Sequence, residues 1–88
     1  MKQLEISFIG RGQVKGFIFT QIKKSDYGYI YSVKVDEHFH YEVFKHKENN
    51  QFNCISYPSD KAFGLWAWTY KNIDDANYKL NELEVING

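Results

Sequence analysis

The spacing of the apolar residues changes once along this chain, and that change most restricts the folds open to it. Tyr27, Tyr29, Tyr31, Val33 and Val35 occupy every second position. This is the side-chain period of a β-strand, so the segment predicts a strand with one apolar face. Near the C-terminus the apolar residues recur instead at spacings of three and four, which is the period of an amphipathic helix.

Alternation of the same kind predicts further strands before and after residues 27–35. These strands cover residues 4–9, 14–23, 39–43, 52–57 and 65–70. Short polar or glycine-rich segments separate them, and their side chains favour turns. The turns are Gly10-Arg11-Gly12, Lys24-Ser25-Asp26 and Asp36-Glu37-His38, while residues 45–50 and 59–64 form longer connections. The pattern therefore predicts consecutive antiparallel strands.

The C-terminal segment predicts one helix, over residues 73–86, that ends at Asn87-Gly88. Its apolar face consists of Ile73, Ala76, Leu80 and Leu83. Asn72 is a favourable N-cap, and Asp75 is three residues later, as in a capping box.

Residues 1–88 thus predict one α+β domain: an antiparallel, strongly curled β-meander of five or six strands with one C-terminal helix. The length allows one domain, since most domains contain about 100–150 residues. The strands that begin at Val14 and Leu65 are apolar on both faces, whereas one helix covers only one face of a sheet. Strong curling is predicted to cover most of the second face and to leave an aromatic patch for a partner.

Composition excludes several classes of protein. The hydrophobic content of 43% is too high for a disordered chain. Eleven basic residues balance eleven acidic ones, which argues against binding nucleic acid through a large positive field. The one cysteine, Cys54, fits a reducing compartment, and no apolar run approaches the ~20 residues of a membrane span. We predict a cytoplasmic protein without a membrane segment or a cofactor.

The most distinctive segment is the aromatic block at residues 63–70. Trp66, Trp68 and Tyr70 are two apart, so a continuous strand places them on one face. Such rings belong either to the core or to a binding surface, where tryptophan and tyrosine dominate the energetics. The predicted binding face comprises Trp66, Trp68, Tyr70, Tyr29 and Tyr31. The predicted partner is another protein or a second copy of the chain.

Charge is unevenly distributed, which gives a second interpretation. Residues 1–35 contain six basic and two acidic side chains, whereas residues 72–88 contain one basic and four acidic. The N-terminal strands therefore predict a basic surface with nearby tyrosines, a combination that binds single-stranded nucleic acid. Its residues are Arg11, Lys15, Lys23, Lys24 and Lys34. Alternatively, these side chains form the solvated rim of a sheet, and the glycines around Arg11 form a turn rather than a phosphate loop.

The histidines suggest a third function, a metal-dependent enzyme built on His38, His40 and His46. On one continuous strand they share a face with Asp36 and Glu42, whose carboxylates are also metal ligands. The spacing matches no closed zinc motif, and the predicted turn at 36–38 interrupts the shared face. Solvated hairpin residues are the favoured interpretation, so no metal ligand and no catalytic residue is predicted.

Three segments carry a resemblance that covers nearly the whole chain. They are Val14-Lys15-Gly16-Phe17, His40-Tyr41-Glu42-Val43-Phe44 and residues 57–70. Together they resemble small uncharacterised proteins of gut bacteria and their phages. The resemblance implies an accessory protein of a phage or mobile element and transfers no site residue. With the aromatic face, it predicts a small non-enzymatic protein-binding module, with a nucleic-acid-binding module as the alternative.

Overall fold

Seven strands and one C-terminal helix make up the computed structural model, which describes residues 1–87. Two short 3-10 turns, Gly12–Val14 and Asp60–Ala62, lie in the connections. The strands are β1 (Ser7–Ile9), β2 (Ile18–Lys24), β3 (Gly28–Val35), β4 (His38–Lys45), β5 (Glu48–Asn49), β6 (Cys54–Ile55) and β7 (Ala67–Tyr70), and the helix is α1 (Ile73–Asn87).

Five of these strands form the main sheet, in the order β1-β2-β3-β4-β7. Every neighbouring pair is antiparallel, which confirms the predicted α+β class. The edges are β1 and β7, so the sheet is open and the predicted strong curling is not confirmed. The predicted strand at 52–57 is reduced to β6, which pairs with β5 in a separate two-stranded sheet.

The tight connections follow the local chemistry of the sequence. Asp36 and Glu37 join β3 to β4, and Asp36 adopts the left-handed region with φ 55°, which aspartate tolerates better than most residues. His38 belongs to β4 rather than to the predicted turn. Between β2 and β3, the hydroxyl of Ser25 accepts hydrogen bonds from the amides of Tyr27 and Gly28, both at 3.2 Å.

The helix begins at the predicted cap. The Asn72 side-chain oxygen accepts a hydrogen bond from the Asp75 amide at 2.9 Å, and its Nδ2 donates to the Asp75 carboxylate at 2.9 Å. Ala76, Leu80 and Leu83 are buried as the spacing predicts. The helix extends to Asn87, and the predicted terminal Gly88 lies outside the described residues.

The core has one layer on each face of the main sheet. On the first face, α1 packs against β3, β4 and β7 and buries Ile30 and Val43. On the second face, Phe19, Tyr31 and Phe44 are covered by the N-terminal segment and by the long connection between β4 and β7. The long connection thus covers the aromatic rings of the second face, a role that its length and polar composition did not predict.

Candidate functional site

An open cleft of about 600 Å³ lies on the face of the main sheet opposite α1. One wall is the connection between β1 and β2, and the other is the segment from Tyr57 to Phe63. Phe8, Phe19 and Phe63 are among the apolar side chains that line it. A cleft of several hundred cubic ångströms with apolar walls is the common form of a binding site.

Aromatic contacts hold the walls of the cleft in place. The rings of Phe8 and Phe19 stack with centroids 4.8 Å apart and planes 4° apart. Tyr57 stands edge-on to both, at 5.4 and 5.5 Å, and also edge-on to Tyr31 and Phe44, at 5.1 and 4.9 Å. Edge-to-face contacts of this kind restrict ring orientation, so the rings form a preformed surface.

Gly10 allows the first wall to fold back on the sheet. Its amide donates to the carbonyl oxygen of Phe17 at 2.8 Å, which closes the loop between β1 and β2. A Cβ at this position would overlap the carbonyl oxygen of Val14 and lie 3.0 Å from Cε1 of Phe19. Only glycine permits this close approach, and Arg11 and Gln13 thereby line the cleft.

The polar centre of the cleft is the pair formed by Tyr57 and Glu42. The Tyr57 hydroxyl donates to Oε1 of Glu42 at 2.7 Å, and Nε2 of His40 lies 3.5 Å from the other carboxylate oxygen. Burial, together with the charge of Glu42, raises the pKa of Tyr57 far above its usual range. Tyr57 is therefore a neutral, permanent donor that orients the carboxylate.

Glu42 keeps acceptor capacity beyond these two contacts. A carboxylate has about four lone-pair positions, and its side chain is 13% exposed. Arg11 and Asp60 are exposed on the same walls. The arrangement is suited to holding an apolar group and one hydrogen-bond donor of a bound molecule.

The five aromatic residues predicted to form a binding face do not lie together on one exposed surface. Tyr29 and Tyr31 are only 1% and 0% exposed. Trp66 packs on the cleft side, edge-on to Phe44 at 6.4 Å, whereas Trp68 and Tyr70 pack on the side of α1. The alternation fails because β7 begins at Ala67, so Trp66 lies in the preceding turn.

The predicted basic residues do not form one continuous surface. Arg11 and Lys15 lie in the loop before β2, and Lys23 and Lys24 end that strand. Seven residues of extended chain span roughly 20 Å, which separates the two pairs. Lys34 is opposite Ile18, near the first pair, with Nζ 5.8 Å from the centroid of the Phe39 ring.

The three histidines occupy different environments. His38 is exposed, and His40 faces Glu42. His46 lies 3.7 Å from Glu48 and has Nδ1 at 3.4 Å from the hydroxyl of Tyr29. Within residues 1–87, no group of three or more histidine, cysteine or acidic side chains comes together to hold a metal ion.

Apolar side chains also remain exposed on the side of the sheet that carries α1. Ile9 is opposite Ile18, Ile18 is opposite Lys34, and Lys34 is opposite Phe39. These residues form one row across the sheet, and Ile18 and Phe39 are 41% and 54% exposed. We call Ile9, Ile18 and Phe39 the exposed row.

Among the described residues, no helix has the length and apolar content needed to cross a bilayer.

Sequence reasoning missed Tyr57 as a site residue and treated Glu42 only as a metal ligand beside the histidines. The shared face of His40 and Glu42 was visible from their spacing, but the approach of Tyr57 depends on how the long connection folds. Comparisons with family models, curated proteins and solved structures give no match to this chain. The resemblance to proteins of gut bacteria and phages stays a prediction.

Proposed function

We propose that the protein is a non-enzymatic binding module that receives an apolar segment of a partner protein in the cleft. The observation that carries this proposal is the cleft of about 600 Å³ with stacked aromatic walls and one hydrogen-bonded carboxylate. Rigid rings give contact area at a low entropic cost. The proposed setting is the cytoplasm, where Cys54 stays reduced, as an accessory protein of a phage or mobile element.

The polar groups of the cleft support binding rather than chemistry. Tyr57 and Glu42 are hydrogen-bonded to each other, and burial keeps the tyrosine protonated because it raises the pKa of its hydroxyl. A neutral phenol beside a carboxylate provides a fixed donor and a fixed acceptor. Such groups orient a ligand while the apolar walls provide most of the binding energy.

Filling the cleft is expected to weaken the binding of an apolar peptide. The probe is an acetylated and amidated Phe-Leu-Phe peptide, followed by NMR through the amide signals of Gly10, Phe19 and Phe63. Ser59 is exposed on the cleft wall, so the indole of Ser59→Trp would occupy the space for the peptide. We expect affinity to fall by roughly tenfold or more, equivalent to about 1.4 kcal/mol.

Asn81→Trp is the matched control, since Asn81 is exposed on α1, on the opposite side of the sheet. It introduces the same ring without touching the cleft, and its affinity should equal that of the wild type. The proposal is contradicted if the peptide perturbs α1 rather than the cleft, or if Ser59→Trp binds it as well as the control does.

Self-association through the exposed row is the second candidate function. Ile9, at one end of the row, belongs to the edge strand β1. The edge leaves backbone groups of β1 open to pairing with the same strand of a second copy. Stable dimers bury about 800 Å² per subunit, more than three side chains supply. We therefore propose a weak association that combines edge pairing with the row.

Ile18→Glu is expected to remove this self-association, because it replaces an apolar side chain of the row with a charge that a dimer would have to desolvate. Sedimentation velocity over a concentration series should show the wild type shifting toward a dimer and the variant remaining a monomer. Val85→Glu is the control, since Val85 is exposed on α1. A wild-type chain that stays monomeric at the highest concentration would exclude the candidate.

A further inference from the structure

The carboxylate of Glu42 gives the cleft a chemical preference that its apolar walls do not. The structure records two partners for it among residues 1–87, the hydroxyl of Tyr57 at 2.7 Å and Nε2 of His40 at 3.5 Å. One contact engages each oxygen, so each oxygen has room for about one more donor. A largely shielded carboxylate with remaining acceptor positions favours a ligand that brings a donor.

The charged side chains that line the cleft also favour a positively charged ligand. The lining includes one basic side chain, Arg11, and two acidic ones, Glu42 and Asp60. Arg11 and Asp60 are exposed to solvent, which screens them, whereas Glu42 is largely shielded. The wall nearest the aromatic rings is therefore negative, and it complements a positive group.

We propose that the group received by the cleft is a lysine side chain flanked by apolar residues of the partner protein. The inference rests on the proposed function and specifies its ligand. The four-carbon stem of lysine packs on apolar surface while its ammonium group reaches a polar one. Here the stem lies along the rings of Phe8 and Phe19, and the ammonium donates to Glu42.

The geometry favours lysine over arginine. A guanidinium group binds a carboxylate best through two parallel hydrogen bonds, one to each oxygen. Tyr57 and His40 each approach one oxygen of Glu42, so a guanidinium fork would have to use the remaining position on both oxygens at once. An ammonium group is a compact charge with three rotatable donors, so it needs only one open position.

Four peptides test the proposal on the intact protein near neutral pH and at low salt. Each is acetylated and amidated, with the sequence Phe-X-Phe, where X is lysine, norleucine, arginine or glutamate. Norleucine retains the apolar stem and lacks the charge, which makes it the matched control for lysine. NMR titration of the amides of Gly10, Phe19 and Phe63 gives each affinity and shows where each peptide binds.

We expect the lysine peptide to bind roughly tenfold or more tightly than the norleucine peptide, as for a hydrogen bond between charged groups. The glutamate peptide should bind weakest, because its charge repels Glu42. Glu42→Gln keeps the shape and an acceptor for Tyr57 while removing the charge, so it should reduce the lysine preference to about twofold or less. If Glu42→Gln does not fold, the four peptides on the wild-type protein decide the question.

The outcomes separate this inference from the proposed function. Equal binding of lysine and norleucine peptides in the cleft would overturn the lysine preference and leave the binding module intact. Tighter binding of the arginine peptide would overturn the choice of lysine. Absence of binding by all four peptides would overturn both proposals.

Discussion

Replacing Phe44 with alanine is expected to lower the free energy of unfolding by roughly 3–5 kcal/mol, as truncation of a buried aromatic ring does. Phe44 is fully buried in β4. Its ring lies 5.3 and 5.7 Å from those of Tyr29 and Tyr31, stacked against both, and meets Tyr57 edge-on at 4.9 Å. The substitution leaves a cavity among these three rings, on the cleft side of the sheet.

The consequence for the folded population is large because the domain is small. At about 0.05–0.15 kcal/mol per residue, a chain of this length has a total stability of roughly 4–13 kcal/mol. If the total stability lies anywhere in most of that range, Phe44→Ala removes a third or more of it. Urea denaturation followed by far-ultraviolet circular dichroism measures the loss.

Phe52→Ala is the matched control for this truncation. Phe52 is 70% exposed in the connection between β5 and β6, so removal of its ring should change the free energy of unfolding by less than about 0.5 kcal/mol. A similar loss for both variants would mean that the Phe44 ring is not packed among Tyr29, Tyr31 and Tyr57.

Much of the architecture was predictable because it depends on local spacing. The alternation from Tyr27 to Val35 predicts β3, and the helical spacing of Ala76, Leu80 and Leu83 predicts the buried face of α1. The side chains of Asn72 and Asp75 fix where the helix begins. Each of these features is determined within a few residues, by backbone period or by a short-range hydrogen bond.

The coverage of the second face was not predictable, because it depends on contacts between segments distant in sequence. The connection from His46 to Trp66 is polar in its first half, yet it places Ile55, Tyr57 and Ala62 on the rings of β2, β3 and β4. This coverage replaces the predicted curling and buries Tyr29 and Tyr31. Alternation alone also failed at Trp66, since it does not show where β7 begins.

The same distinction between local spacing and long-range contacts explains why only part of the site could be predicted from the sequence. His40 and Glu42 share a face of β4, as their spacing predicts. The hydrogen bond from Tyr57 to Glu42 joins residues 15 positions apart, and the fold of the connection creates it. The cleft forms between the β1–β2 connection, which Gly10 allows to fold back, and the segment from Tyr57 to Phe63, so it depends on contacts between distant parts of the sequence.

Alkaline pH is expected to unfold the protein through its buried tyrosines. Burial raises the pKa of Tyr29, Tyr31 and, most strongly, Tyr57 above the ordinary value of 10.0. In the unfolded chain these groups ionise near pH 10, whereas in the folded chain they retain their protons. The stability they contribute is therefore fully present below pH 10 and is lost as the pH rises beyond it.

Tyr57 alone is enough to make the free energy of unfolding fall measurably with pH. While it stays protonated in the fold and ionised in the unfolded chain, each pH unit above 10 lowers the free energy of unfolding by about 1.4 kcal/mol. Urea denaturation from about pH 8 to about pH 12, with tyrosinate absorbance as a second signal, follows the loss. Ionisation and unfolding should occur together, because the buried hydroxyl is released only when the chain opens.

Tyr57→Phe isolates the contribution of Tyr57, because the two proteins differ only in that hydroxyl group. Below pH 9 the variant should be less stable than the wild type by about 1–3 kcal/mol, because Glu42 loses its donor. Above pH 10 the variant has one fewer tyrosine to ionise, so its stability falls less steeply and the gap between the two proteins narrows or reverses. Parallel curves over the whole range would show that Tyr57 ionises freely in the folded protein. Its hydroxyl would then not be the buried donor that orients Glu42, and the polar centre of the cleft would have to be assigned to other groups.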